Sequence, residues 1–362
     1  MGEALRAAAE TARRWLTERM LPLWLGAGFD ARTGQFVEAL TPAGEPVDAP
    51  RRTLVQARQM AVCAAAGRLG WAGPWAERAT AAGAALLARG RRDDGAWIYA
   101  FGADGAPANR RSDLYTHAFV IFGFAVAGAA LGRGDFVAAA REAAAMLEAG
   151  WADPAGGFRE GEVAPHPGRQ NPHMHLLEAF LALHAATGAD EDLARAAAVG
   201  ALARARLIEP PGRMPEAFDD AWRPIAAHGY APGHQFEWAW LLGELAARRG
   251  APAPPEVGAL ADFGAAGVDA AGFTLDLVGA AGGEPATARL WPQTERLRTS
   301  LALGDEAAAL AAWSALSAYA DGLPGTWRDV READGGWREG DAPASSAYHI
   351  VGALEALIRA AG

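Results

Sequence analysis

The chain has 362 residues, about half of them apolar and a fifth charged, with a formal net charge of −10. This composition is typical of a folded globular protein and excludes a disordered one. The negative charge, without a basic stripe, argues against a nucleic-acid partner, because phosphate backbones attract Lys and Arg.

The single cysteine, Cys63, excludes an internal disulfide and fits a reducing cytoplasm. The N-terminal segment Met1–Arg6 has no cationic patch followed by an apolar core, so we expect no secretory signal. The longest apolar run, residues 118–131, is shorter than the roughly 20 residues that cross a bilayer and is predicted to be a buried core helix. We therefore expect a cytoplasmic protein with no membrane or nucleic-acid partner, either a monomer or a homodimer.

Apolar residues recur at three- and four-residue spacing between Gly and Pro residues, which predicts helices along the whole chain. In chain order the predicted helices are 3–24, 52–69, 74–90, 112–131, 134–149, 170–187, 190–206, 234–249, 254–267, 292–303, 305–320 and 344–360. A glycine close before a bulky apolar residue marks the segments between helix pairs. These marker residues are Phe36, Trp97, Phe158, Met214, Phe273 and Trp337. Their spacings of 61, 61, 56, 59 and 64 residues indicate a repeat of about 60 residues built from helix pairs.

The number of helices predicts how the repeats close. Each marker is followed by two predicted helices, except Trp337, which is followed by 344–360 alone. The first helix, 3–24, would supply the missing partner if the chain ends meet. The predicted fold is therefore all-α, an (α/α)6 barrel of six inner and six outer helices with short β-hairpin excursions. We expect one catalytic domain over residues 1–362; a linear solenoid would need atypical capping repeats, which the sequence lacks.

Rare polar residues fall near the start of the helix after each marker, although an inner helix should be apolar almost all round. They are Arg58, His117, His175, His234 and Glu295, at 22, 20, 17, 20 and 22 residues after the preceding marker, with His349 at a shorter offset in the sixth repeat. A single histidine at a helix start is more often a cap or a satisfied core group. Repetition at a similar phase indicates instead that these side chains converge on a central pocket.

The spacing of these residues limits the chemistry. His234 and Glu237 are three apart and share a helix face, whereas His173 and His175 are two apart and cannot. We predict that His175 lines the pocket and that His173 either supports the pocket residues from behind or is structural. The sequence has no His-Glu-x-x-His motif, paired cysteines or phosphate-binding glycine loop, so we expect no metal and no cofactor. A glycoside hydrolase using Glu237 and Glu295 is one alternative, and a non-catalytic sugar-binding protein is another.

Six segments carry a family resemblance. They are Val55-Gln56-Ala57-Arg58, Leu114-Tyr115-Thr116-His117, Asn171-Pro172-His173-Met174-His175, Pro232-Gly233-His234-Gln235-Phe236-Glu237-Trp238, Trp291-Pro292-Gln293-Thr294-Glu295 and Tyr348-His349. In this order they resemble the N-acylglucosamine 2-epimerase superfamily, which includes mannose isomerases, a sulfoquinovose isomerase and cellobiose 2-epimerases. The resemblance implies an (α/α)6 barrel that acts on a ring-opened sugar without a metal. It implies His234 and His349 as the acid/base pair and a pocket lined by Arg58, Tyr115, His117, Asn171, His175, Glu237 and Glu295.

The resemblance also implies a reaction. The segments around His234 and Glu295 are closer to the mannose isomerase branch, which favours an aldose–ketose isomerase acting on a free hexose, D-mannose to D-fructose, through a cis-enediolate. A sugar 2-epimerase of the N-acylglucosamine or cellobiose type is the alternative, because the same two histidines would serve both reactions. An arginine that some family members place before the Pro-Gly-His segment has no counterpart in register; Arg223 lies nearby.

Overall fold

The computed structural model describes residues 2–162, 168–279 and 287–362, with the backbone alone for residues 168 and 169. The helices in this part of the chain are α1 Glu3–Trp15, α2 Leu21–Trp24, α3 Thr53–Arg68, α4 Trp75–Arg89, α5 Leu114–Leu131, α6 Gly134–Gly150, α7 Gln170–Thr187, α8 Asp190–Leu202, α9 Pro232–Arg248, α10 Glu256–Ala266, α11 Leu290–Ala302, α12 Glu306–Ala318 and α13 Ala344–Ala360. A π-helical turn, Leu16–Met20, joins α1 and α2 into one rod. A second π-helical turn, Ala203–Leu207, extends α8. The twelve predicted helices are thus confirmed, with ends that differ by about two residues at most.

Six helices form an inner ring. Helices α3, α5, α7, α9, α11 and α13 each contact the next, and α13 returns to contact α3. Helix α3 is typical of the inner ring, since 14 of its 16 residues are buried, including Cys63. The outer helix α4 buries a single stripe of five residues, Ala79, Ala82, Gly83, Ala85 and Leu86. Helix α1 packs on α13 and α12, so the predicted closure by the first helix is confirmed.

Helix α5 is the one described helix that is long and apolar enough to cross a membrane by length and composition. In the structure two thirds of it is buried, and it packs between α3 and α7 of the inner ring. This is the position of a core helix, as predicted for residues 118–131.

Short antiparallel strands connect the helix pairs at one end of the ring. The pairs are β1 Phe29–Asp30 with β2 Gln35–Phe36, β3 Ala39–Leu40 with β11 Ala342–Pro343, β4 Arg51–Arg52 with β5 Ala100–Phe101, β5 with β6 Pro107–Asn109, β7 Gly168–Arg169 with β8 Ala217–Phe218, and β9 Ala288–Arg289 with β10 Val330–Arg331. The β3–β11 pair joins an early loop to the segment before the last helix, which ties the two ends of the chain together.

The marker segments are held by polar side chains of the inner helices. The Gln56 side chain accepts a hydrogen bond from the Phe36 amide at 2.7 Å and donates one to the Phe36 carbonyl at 2.9 Å. The same pair of hydrogen bonds, one accepted and one donated by the side-chain amide, joins Gln235 to Met214 and Gln293 to Thr274. A histidine holds the amide in two repeats, His117 at Trp97 and His173 at Phe158. These five anchor residues satisfy backbone groups that would otherwise be buried without partners.

The prediction that His117 lines a pocket is corrected by these contacts. Its Nε2 accepts from the Trp97 amide at 3.1 Å, and its Nδ1 donates to the Asp113 carbonyl at 2.7 Å. Both ring nitrogens are therefore used inside the protein. Burial lowers the pKa of His117 to about 4, which keeps the imidazole neutral and suited to this double role. His173 likewise uses its Nε2 inside the protein, where it accepts from the Phe158 amide at 3.0 Å.

Candidate active site

The N-terminal halves of the six inner helices surround one cavity of about 290 Å³. This volume is near the low end of the roughly 300–1,000 Å³ that is usual for small-molecule sites. Its lining includes seven of the nine predicted site residues, namely Arg58, Tyr115, Asn171, His175, His234, Glu237 and His349. His117 and Glu295 are not part of the lining. His234 and His349, which are 115 positions apart in sequence, thus meet at one cavity.

Glu295 lies behind His349 rather than in the cavity. Its Oε1 accepts a hydrogen bond from His349 Nδ1 at 2.8 Å, and its Oε2 accepts one from the Trp240 indole at 2.9 Å. Burial lowers the pKa of His349, although the hydrogen bond to Glu295 opposes that shift. Burial alone would raise the pKa of Glu295, but the Arg298 guanidinium at 3.5 Å and the bond from His349 bring it below its usual value. His349 therefore offers a neutral imidazole whose Nε2 is left for the cavity.

The second histidine has a carboxylate partner that the sequence did not predict. His234 Nδ1 lies 2.8 Å from Oε2 and 3.0 Å from Oε1 of Glu216, which precedes β8. The Gln170 amide nitrogen is also close, 2.9 Å from His234 Nδ1. With Nδ1 held in this way, Nε2 is again the nitrogen left for the cavity. The site thus contains two histidine–carboxylate pairs, His234–Glu216 and His349–Glu295.

The Pro-Gly-His segment positions His234 for a steric reason. Pro232 opens α9 at its first position, where a missing N–H costs nothing. A Cβ on Gly233 would lie 2.6 Å from the Trp291 ring, so this position requires glycine. The close approach lets Trp291 contact both imidazoles, with ring centroids 4.7 Å from His234 and 5.8 Å from His349. Trp291 therefore forms a wall between the two histidines.

Arg58 supplies a buried positive charge beside the cavity. Its side chain is buried, with one terminal nitrogen donating to the Tyr115 hydroxyl at 2.8 Å and the other to the Ser345 carbonyl at 2.9 Å. The guanidinium also lies 3.9 Å from the Phe119 ring centroid. None of these partners is an anion, so the charge of Arg58 is available to a negative group in the cavity.

A cluster of carboxyl groups lies under the cavity. His175 Nδ1 donates to Glu178 at 3.2 Å, and burial lowers the pKa of His175 to about 4, which keeps it neutral. Burial raises the pKa of Glu237 well above its ordinary value, and the nearby charges of Glu295 and Glu178 add to the effect. Both effects favour the protonated form of Glu237, which can donate a hydrogen bond. Its Oε2 has no hydrogen-bond partner among the described residues.

Comparisons with known proteins identify the family of the chain. The family model described as "N-acylglucosamine 2-epimerase (GlcNAc 2-epimerase)" matches residues 34–353. The chain belongs to the N-acylglucosamine 2-epimerase family. It is 37% identical to a protein of Rhizobium meliloti (strain 1021) named mannose-6-phosphate isomerase, over 99% of this chain and 98% of that protein. It is 34% identical to the D-mannose isomerase of Thermobifida fusca, over 44% of this chain and 43% of that protein.

The structural comparison supports the fold. The cellobiose 2-epimerase of Spirochaeta thermophila superposes with a TM-score of 0.90 at 22% identity, covering 99% of this chain and 97% of that one. The predicted all-α (α/α)6 barrel is confirmed, as is the resemblance on which the function was predicted. The protein is an enzyme of the isomerase class, in a family of sugar isomerases and epimerases.

Two groups of side chains in this family member have metal-ligand spacing. They are His175 with Glu178 and Glu237, and Glu237 with Glu295 and His349, each with ligand atoms within 4.8 Å of one another. A metal ion would compete with protons that these groups already share, because both imidazoles donate Nδ1–H to a carboxylate. The donor set therefore suits hydrogen bonding among these residues better than an ion.

The mouth of the cavity carries charges that the sequence analysis did not single out. Arg52 pairs with Glu38 at 2.5 Å, and Arg289 pairs with Asp276 at 3.1 Å. Both arginines line the cavity, as does Asp329, whose pKa is raised by burial. Arg52 and Arg289 each stand directly before an inner helix, and this repeated position was the sequence signal that could have identified them.

Arg223 is absent from the cavity lining and 80% exposed, and it pairs with Asp219 at 2.7 Å. It does not replace the arginine that some family members have before the Pro-Gly-His segment.

Proposed function

We propose that this enzyme is an aldose–ketose isomerase that converts D-mannose to D-fructose through a cis-enediolate, with the whole chain acting as one cytoplasmic catalytic domain. The observation that carries the proposal is the pair of imidazoles on one cavity, each with Nδ1 hydrogen-bonded to a carboxylate. A neutral histidine held in this way presents a basic Nε2 to a substrate near neutral pH. No metal or cofactor is part of the proposal.

His349 is the proposed base at C2 of the open-chain aldose. Its Nε2 takes the C2 proton, the C2–H electron pair forms the C1=C2 bond, and the carbonyl electrons move to O1. A proton then passes from O2 to O1, and the imidazolium returns its proton to C1, which gives the ketose. Burial lowers the pKa of His349, so the imidazole is neutral when the substrate binds.

His234 is the proposed group for ring opening. Its Nε2 takes the O1 proton of the closed sugar, the C1–O5 bond breaks as C1=O forms, and the proton goes to O5. Arg58 would stabilise the enediolate oxygen, since its hydrogen-bond partners Tyr115 and Ser345 are neutral. His175 donates Nδ1–H to Glu178, so its Nε2 would accept a hydrogen bond from a sugar hydroxyl. The N-terminal ends of the inner helices add partial positive charge on the same side. Tyr115, Asn171 and Glu237 would bind the sugar hydroxyls, and Glu295 would act through His349.

The position to which the proton returns separates the isomerase from its alternative. Return to C2 from the opposite face, by His234, would give the 2-epimer with the same residues. The small cavity favours a monosaccharide over the disaccharide of a cellobiose 2-epimerase. A glycoside hydrolase is less well supported, because Glu295 lies behind His349 and outside the cavity lining.

A phosphorylated substrate is the second candidate. The relative with 37% identity is named mannose-6-phosphate isomerase, and Arg52 and Arg289 at the mouth could face a phosphate at C6. Both arginines already pair with carboxylates, which favours the free sugar.

The test is product analysis with chelator present, over D-mannose, D-mannose 6-phosphate, N-acetylglucosamine and cellobiose. Fructose from mannose supports the proposal, and glucose without fructose would establish epimerisation. If only D-mannose 6-phosphate is converted, the proposed substrate is wrong but the proposed isomerisation mechanism still holds. Cleavage of a glycosidic bond, or no turnover of any sugar, would overturn the proposal.

A further inference from the structure

The carboxylate partner of His234 is Glu216, a residue that has no place in the repeat pattern of the sequence. It lies between α8 and α9, outside the inner helices, and its side chain is 19% exposed. The β7–β8 register pairs Arg169 with Ala217, so the next residues along the two strands, Gln170 and Glu216, come side by side. The pairing of β7 with β8 therefore brings the Glu216 carboxylate to the N-terminal end of α7, next to the His234 imidazole at the start of α9.

The contacts around Glu216 show which way the protons point. The Trp238 indole donates to Gln170 Oε1 at 2.6 Å, which fixes the orientation of that amide and turns Nε2 away from Trp238. Gln170 Nε2 lies 3.3 and 3.4 Å from the two Glu216 oxygens, so it can donate to the carboxylate. Gln170 Nε2 also lies 2.9 Å from His234 Nδ1 and could donate to it, but the Glu216 carboxylate has only acceptors and, at 2.8 and 3.0 Å from Nδ1, requires the proton on that nitrogen. Both Gln170 Nε2 and His234 Nδ1 are thus donors that share the Glu216 carboxylate.

Resting on the function proposed above, we propose that Glu216 is the positioning residue for His234: it holds a proton on Nδ1, so that Nε2 faces the sugar, and stabilises the imidazolium formed when Nε2 takes the O1 proton. The proton that arrives at Nε2 leaves it for O5, so the pair returns to its starting state in each turnover. A carboxylate behind a catalytic histidine sets the tautomer in the same way in serine proteases.

Glu216 has a structural contact as well, and the two roles must be separated. Its Oε1 accepts from the Ala231 amide at 3.1 Å, which ties the loop to the start of α9. A glutamine at 216 can still accept from Ala231 through its oxygen, so the loop contact survives the change. The same glutamine carries no negative charge and can present its own N–H to His234, which would favour the Nε2–H tautomer.

The first measurement uses the unmodified enzyme and does not depend on how a variant folds. Nitrogen-15 NMR of the eight histidines, with His234 assigned by its loss in His234→Asn, reports which ring nitrogen carries the proton. We expect neutral His234 to be the Nδ1–H tautomer. An Nε2–H tautomer there would overturn the proposal.

The second measurement compares two variants of the same loop. Glu216→Gln should lower kcat for mannose isomerisation by about 10²–10⁴-fold, with KM changed far less, and should populate the Nε2–H tautomer. The matched control is Glu209→Gln, a partly exposed glutamate of the same loop that pairs with Arg213 and Tyr230 and should keep wild-type kcat. Wild-type kcat in Glu216→Gln, or a loss of kcat with an unchanged tautomer, would contradict the positioning role. Failure of the unmodified enzyme to turn over any sugar would instead count against the proposed function.

Discussion

The two histidine–carboxylate pairs have the same hydrogen bond but different surroundings. His349 and Glu295 both come from inner helices, and the Glu295 side chain is completely buried against Trp240 and Arg298. His234 pairs with a loop residue, Glu216, at the edge of the ring. Burial lowers the pKa of His349. Under the proposed function, the buried pair would carry out carbon–proton transfer and the outer pair would act on the sugar oxygens, whose protons exchange readily with water.

The largest effect is expected at the buried histidine. His349→Ala should lower exchange of the C2 proton of mannose by about 10⁴-fold, the upper end of what a general base contributes. The measurement is deuterium incorporation at C2 followed by proton NMR. His184→Ala is the control, because His184 bonds to the Ala189 carbonyl at the far end of α7 and should not affect exchange. Exchange that persists in His349→Ala would contradict the assignment.

Glu295→Gln tests whether the two pairs differ in stability as well as chemistry. It removes a buried charge from beside Arg298, so the free energy of unfolding should fall by roughly 3–5 kcal/mol, with a loss of about 10²-fold in kcat. Glu216→Gln, at the more exposed pair, should cost much less stability. Urea unfolding of both variants measures the difference. A larger loss of stability in Glu216→Gln would reverse the comparison.

Gly233→Ala tests the wall that both histidines share. The added Cβ would lie 2.6 Å from Trp291, so the indole must shift, and we expect about 10-fold lower kcat and about 1–3 kcal/mol less stability. Gly243→Ala on the same helix meets nothing within 4 Å and should keep kcat while gaining up to about 1 kcal/mol from helix propensity. Equal kcat in the two variants would show that the position of Trp291 is unimportant.

His117→Gln should have the smallest effect. Glutamine already holds the marker segment in three other repeats, so kcat should not change. The pKa of His117 is lowered to about 4 in the folded protein, against about 6.5 when unfolded, so the unfolded state binds more protons between these values. Stability is therefore lost as pH falls from 6.5 towards 4, by at most about 3 kcal/mol from this residue. Thermal unfolding at pH 7 and pH 5 should show that His117→Gln loses less stability on acidification than the unmodified protein. A fall in kcat in this variant would instead indicate that His117 is part of the active site.

The case of His117 shows how far the sequence could predict the site. Its offset of 20 residues from the marker is that of the anchor Gln56 and also that of the cavity residue His234, whereas the cavity residue Arg58 has an offset of 22. Residues two apart on a helix point in different directions, so a similar offset was too coarse to separate anchors from cavity residues. The ring itself was predictable, because glycine markers and apolar periodicity recur in every repeat.

Glu216, in contrast, could not be predicted from the sequence. It lies on a connecting loop, and nothing in its spacing relates it to His234, 18 positions later. Its role depends on the pairing of β7 with β8, which two-residue strands do not reveal in a sequence. Inner-helix residues could therefore be predicted from the repeat, and loop residues required the structure.

The most direct test of the account is the reaction of D-mannose in deuterium oxide with chelator present. Proton transfer between a histidine and the substrate carbons allows exchange with solvent, so we expect D-fructose that carries deuterium at C1. Fructose formed without deuterium, activity that requires added metal, or glucose as the only product would contradict the two-histidine isomerase.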